Sequence, residues 1–82
     1  SLNEGDVLFV DVTVQEVNAD GIYVFTRGTQ LLVKRLQLLS DRLAVISDNK
    51  KYERDNIPLD EIEQTITIHG RVIGRWGFER TS

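Results

Sequence analysis

Eighty-two residues leave room for one small domain, and 40% hydrophobic with 28% charged residues argues against intrinsic disorder. A formal net charge of −3 argues against this segment as a main nucleic-acid contact surface, which needs Lys and Arg to neutralise phosphate. Cysteine is absent and His69 is the single histidine, which excludes disulfides, thiol nucleophiles and a His-cluster zinc site within the sequence.

No apolar run approaches the roughly 18 residues of a membrane span, and nothing near Ser1 reads as a signal peptide. The sequence opens on Ser1 without a methionine, which predicts a processed, excised or partial product. A domain this small with no staple suggests a reducing compartment, or a piece of something larger.

Nine Val, seven Ile and six Thr against two Ala predict strands throughout. The first strand is Val7–Val12, after the Gly5-Asp6 turn, and Thr13–Val17 either continues it or bends away. Asn18-Ala19-Asp20-Gly21 is a turn signal. Ile22–Arg27 follows, then Gly28-Thr29 as a tight hairpin turn, then Gln30–Gln37. Leu38–Asp41 connects to Arg42–Ser47. Asp48–Glu63 holds six acidic against three basic residues and the one proline, Pro58. It reads as a loop with short extended pieces and a turn of helix at Leu59–Glu63. A long strand, Thr65–Trp76, closes the pattern, with a break near Gly70. Strands at this spacing suggest a meander, barrel or sandwich.

Side chains in a strand alternate faces. In Gln30–Gln37 one face carries Leu32, Lys34 and Leu36, and the other carries Leu31, Val33, Arg35 and Gln37. Lys34 thus stands between two leucines. A low-dielectric setting disfavours the charged form of an amine, and a neutral amine is a general base. Two plainer readings compete: a lysine that buries its stem and extends its ammonium to water, or an edge-strand lysine that discourages aggregation.

In the last strand, Ile66, Ile68, Val72 and Trp76 share a face with Gly70 and Gly74. Thr65, Thr67, His69, Arg71, Ile73 and Arg75 share the other. This is either an interface strand, around Gly70–Trp76, or a long central strand bent at its glycines. His69, among threonines and arginines, reads as a half-exposed surface residue. Asp48–Glu63 is net −3 and His69–Ser82 net +2, best read as solvated faces that pair with each other. No phosphate loop or metal spacing is present, and none of the four serines sits in an activating motif.

The run Ser1-Leu2-Asn3-Glu4-Gly5-Asp6-Val7-Leu8-Phe9-Val10-Asp11 resembles the segment that follows the catalytic serine in LexA-like self-cleaving peptidases. Asp20-Gly21-Ile22-Tyr23-Val24 resembles that family's next strand, and Leu32-Val33-Lys34-Arg35-Leu36 its lysine-bearing strand. Ile46-Ser47-Asp48-Asn49 with Tyr52 resembles the following strand and loop, and Gly70-Arg71-Val72-Ile73-Gly74-Arg75-Trp76 the closing strand. The order and spacing hold over nearly the whole chain. Lys50-Lys51-Tyr52-Glu53-Arg54 departs from the family, where prolines often flank the tyrosine.

The resemblance implies a mostly β fold, a strongly bent antiparallel sheet forming a partly open barrel, of the LexA and signal-peptidase kind. It makes 1–82 a single partial domain, the C-terminal regulatory and dimerisation domain of a phage-type repressor. It also makes Lys34 the general base of a Ser–Lys dyad. The family's Ser-Met-x-Pro motif falls just before Ser1, so the nucleophile, the cleaved linker and the DNA-binding domain lie upstream. This chain alone is therefore expected to be inactive. The implied partners are a second copy and, through the parent protein, a RecA filament and DNA. No metal, cofactor or membrane is implied, and the expected location is cytoplasmic. The alternatives are a non-catalytic oligomerisation module, a signal-peptidase-like fragment, or an unrelated small β-barrel binding module.

Overall fold

The computed structural model describes residues 5–47 and 54–76. Its elements are β1 (Val7–Asp11), β2 (Gly21–Arg27), β3 (Gln30–Leu38), β4 (Arg42–Ile46), β5 (Asp55–Pro58), a 3₁₀ turn (Leu59–Glu61), α1 (Ile62–Thr65) and β6 (Ile66–Trp76). The six strands form one sheet in the order β1-β6-β2-β3-β4-β5, and every pairing is antiparallel. The mostly β expectation holds. The sheet is open, with β1 and β5 at its edges rather than joined into a barrel.

Strands β2 to β5 form the meander that the spacing predicts. The Gly28-Thr29 turn joins β2 to β3 between the paired Arg27 and Gln30. Gly28 takes φ +61° while Thr29 keeps a negative φ, the two-residue turn that needs glycine in its first place. Strand β5 is short and ends on Pro58, which cannot donate to a further strand.

Thr13–Val17 does not continue the first strand. Asp11 stops it: its carboxylate accepts from the Thr13 N–H (3.0 Å) and hydroxyl (2.6 Å), and the Val14 N–H reaches the Asp11 carbonyl at 3.4 Å. The chain then passes from β1 to β2 across β6, which lies between them. The Asn18–Gly21 signal therefore ends a crossing connection and not a hairpin. Val14 and Val17 face the core on the way.

The long last strand lies between β1 and β2, pairing with β2 over Ile66–Arg71 and with β1 over Arg71–Trp76. It breaks by bulging. His69 is an extra residue opposite the Val24/Phe25 step of β2, and Ile73 is one opposite the Phe9/Val10 step of β1. The helical turn appears slightly longer than the sequence suggests, over Leu59–Thr65.

The core is one cluster: Tyr23, Phe25, Leu36, Leu43, Val45, Ile57, Ile66 and Ile68. Leu32 and Ile62 pack against it. No buried charged or polar residue interrupts it among the described residues. The tyrosine loop at Lys50–Arg54, apart from Arg54, lies outside the described residues, as does the basic tail beyond Trp76.

Candidate functional site: a polar row across the sheet

Lys34 lies on β3 and is half-buried. Its neighbours on the same face are Leu36, fully buried, and Leu32, packed against the core. The alternation in the sequence is thus realised: the lysine stands on the core-facing side. Directly across from it on β2 is Tyr23, also fully buried. Residues opposite each other in an antiparallel pair share a face.

That row continues. Tyr23 is opposite Arg71 on β6, and Arg71 is opposite Asp11 on β1. Asp11, Arg71, Tyr23 and Lys34 therefore run side by side over four strands. Uninterrupted alternation in the last strand puts Arg71 with Thr65, Thr67 and His69 instead. The bulge at His69 shifts the pattern by one residue and brings Arg71 onto the face of Tyr23.

Tyr23, Arg71 and Asp11 are each held by specific contacts. The Tyr23 hydroxyl donates to the Ala19 carbonyl at 2.6 Å. An Arg71 Nη donates to the Asp20 carbonyl at 3.1 Å, and Gln37 Nε2 donates to the Asp20 carboxylate at 3.2 Å. Side chains from β2, β6 and β3 thus converge on the Ala19-Asp20 turn. The arginine reaches it by lying across Gly21, where a Cβ would come 2.7 Å from Arg71 Nε. That Nε is buried and has no hydrogen-bond partner among the described residues. At the far end, the Thr13 hydroxyl, and then the Thr13 backbone N–H, hold the Asp11 carboxyl below the usual carboxylate range against the small opposing effect of desolvation.

His69 is exposed on the bulge, as the sequence suggests, with Nε2 3.1 Å from the Thr26 hydroxyl. No group of three or more metal-ligating side chains occurs among the described residues. No helix among them is long and apolar enough to cross a membrane.

With this geometry in place, the sequence profile of the Peptidase S24-like family matches residues 1–73. This chain belongs to the Peptidase S24-like family. It is also 52% identical over 64 residues to the "26 kDa repressor protein" of Escherichia phage HK022. That match covers 78% of the chain and 27% of the phage protein, so the chain spans about a quarter of this relative's length. The S24-like match runs through β1, the lysine strand β3 and most of β6. The resemblance seen in the sequence is therefore upheld at the level of the family. Asp11, Arg71 and Tyr23 are the row members that sequence alternation did not bring to Lys34. Their signal was the Gly21-x-Tyr23 and His69-Gly70-Arg71 spacing, which is uninformative until strand register is known.

Proposed function

We propose that this chain is the C-terminal regulatory part of a phage-type repressor, with Lys34 the general base for self-cleavage in the longer parent protein. The observation that carries the reading is the setting of Lys34: half-buried, between Leu32 and Leu36, and opposite the buried Tyr23. A lysine on a core-facing strand position is otherwise an unfavourable choice. The S24-like match and the likeness to a phage repressor support it.

The chemistry is an acyl transfer. The amine of Lys34 takes the proton from the hydroxyl of a serine upstream of Ser1. The serine oxygen attacks the carbonyl carbon of a linker peptide bond, the C–N bond breaks, and the proton passes to the leaving nitrogen. Water then hydrolyses the ester. Cleavage separates the part that pairs two repressors from the part that reads DNA, and affinity falls because two linked half-site contacts become independent.

Dimerisation is carried by exposed side chains at the β1–β6 end of the sheet. Val7, Phe9 and Trp76 are exposed, and the pairings Val7–Trp76 and Phe9–Gly74 put them on one face at the end of the β1–β6 pair. This patch equally supports a second reading, an assembly module without cleavage.

The test is mass spectrometry of the intact parent protein, incubated at mildly alkaline pH and separately with RecA filaments, beside Lys34→Ala. A single linker cut in the wild type and none in Lys34→Ala bears the proposal out. An uncut wild type that still dimerises and binds DNA leaves the assembly reading in its place. Phe9→Asp measured by sedimentation tests the patch: a dimer unaffected by it places the interface elsewhere.

A further inference from the structure

Arg71 has no part in the cleavage chemistry above, yet the fold seats it at a cost. Asp11 stands directly opposite it on β1, but no ion pair joins the two among the described residues. That carboxylate is engaged by Thr13 instead. The arginine turns the other way, over β2. It lies across Gly21, where a Cβ would come 2.7 Å from its Nε and 3.0 Å from an Nη, and donates to the Asp20 carbonyl at 3.1 Å. In this position the Nε is buried without a partner. An unpaired buried donor costs stability, and so does a glycine within a strand. An apolar side chain at this place leaves no donor unpaired. Local choices that work against stability are expected where a functional site needs them.

The acceptor that Arg71 reaches belongs to a hub. Three strands each send one bond to Ala19-Asp20: the Tyr23 hydroxyl from β2 to the Ala19 carbonyl, Arg71 from β6 to the Asp20 carbonyl, and Gln37 from β3 to the Asp20 carboxylate. Two of these three strands frame the lysine. Gln37 is three residues along its own strand. Tyr23, fully buried, stands directly opposite Lys34 on the same face, where paired Cβ atoms lie about 5 Å apart. The connection that carries the hub has little of its own to fix it. Over 12–18, backbone–backbone hydrogen bonding among the described residues is confined to the Val14 N–H on the Asp11 carbonyl, at 3.4 Å. The hydroxyl end of Tyr23 is thus held by a turn that Arg71 and Gln37 keep in place.

We propose that Arg71 is a positioning residue for self-cleavage. It fixes Ala19-Asp20, the turn fixes the Tyr23 ring, and the ring sets the direction of the Lys34 amine. The inference rests on Lys34 being the general base. Arg71 is two strands from Lys34, about 10 Å between backbones at the usual strand spacing, and its hydrogen bond is made to Asp20. It therefore acts through Tyr23 and not on the reacting atoms. Displacing a reacting group by about 1 Å costs up to roughly a hundredfold in rate.

The test follows cleavage of the intact parent protein by mass spectrometry at several pH values. Arg71→Met keeps a long side chain and removes the unpaired donor. It is expected to cut at least tenfold more slowly than the wild type, by the same factor at every pH, with a thermal melt no lower. Gly21→Ala unseats the guanidinium without changing it and is expected to slow cleavage too, with faster amide exchange at residues 19–21 in both variants. Lys34→Ala separates the two levels of the argument. If it cuts as fast as the wild type, or the wild type does not cut, the general-base reading falls and the role of Arg71 with it. If Lys34→Ala stays whole while Arg71→Met cuts at the wild-type rate, only the role of Arg71 falls. An Arg71→Met melt well below the wild type makes Arg71 structural, and a slowing that varies with pH makes its charge act on the reacting groups directly; either overturns the proposal.

Discussion

Among the described glycines Gly70 has the closest neighbours, and a single methyl group there tests how β1 is held. A Cβ at Gly70 falls against the Val10 side chain and 2.9 Å from the Asp11 backbone oxygen. The valine has alternative rotamers, but the carbonyl moves only if β1 moves. Overpacking of this kind costs about 1–3 kcal/mol. Alanine in place of glycine inside a strand returns about 0.5–1 kcal/mol. Gly70→Ala is therefore expected to lose about 1–2 kcal/mol, a fall of roughly 5–15 °C in Tm for a domain of this size. Gly74→Ala is the internal control on the same strand. Its Cβ meets Phe9 at 3.6 Å, an ordinary contact, so it is expected to be neutral or slightly stabilising. Urea unfolding of both variants, with hydrogen exchange of the β1 amides, makes the measurement. Gly70→Ala as stable as the wild type, or Gly74→Ala as costly, would refute the close-approach argument.

Other predictions follow from the same contacts. Tyr23→Phe removes a part-buried hydrogen bond to Ala19 and is expected to cost about 1 kcal/mol in urea unfolding, with faster exchange in the 12–20 connection. Thr13→Val removes the hydroxyl that most strongly holds the Asp11 carboxyl down, so the Asp11 titration midpoint, followed by carboxyl NMR, rises. A depressed folded value stabilises above the unfolded value and is lost as pH falls through the folded one; Thr13→Val narrows that acid-side window. Arg27→Ala breaks the ion pair with Asp55, but both side chains are substantially exposed, so the loss is expected to stay within about 1 kcal/mol. Lys34→Met keeps the stem and removes the charge beside Leu32 and Leu36. It is expected to hold or raise thermal stability while abolishing cleavage of the parent; a large destabilisation would give Lys34 a structural role instead.

Much of the local structure was legible in the sequence because it is set by near neighbours. Period-two alternation marked the strands, and it put Lys34 on the face of Leu32 and Leu36 before any strand was paired. Gly28-Thr29 declared its hairpin because few sequences accept a positive φ there. The S24-like resemblance was carried by residues now found on β1, β3 and β6. Register and strand order are different in kind. They depend on which distant segment lies alongside, and no local preference specifies that. Only the folded sheet placed β6 between β1 and β2, turning Thr13–Val17 from strand to crossing connection. Only the bulge at His69 carried Arg71 to the face of Tyr23 and Lys34, since one unpaired residue reverses every side chain beyond it.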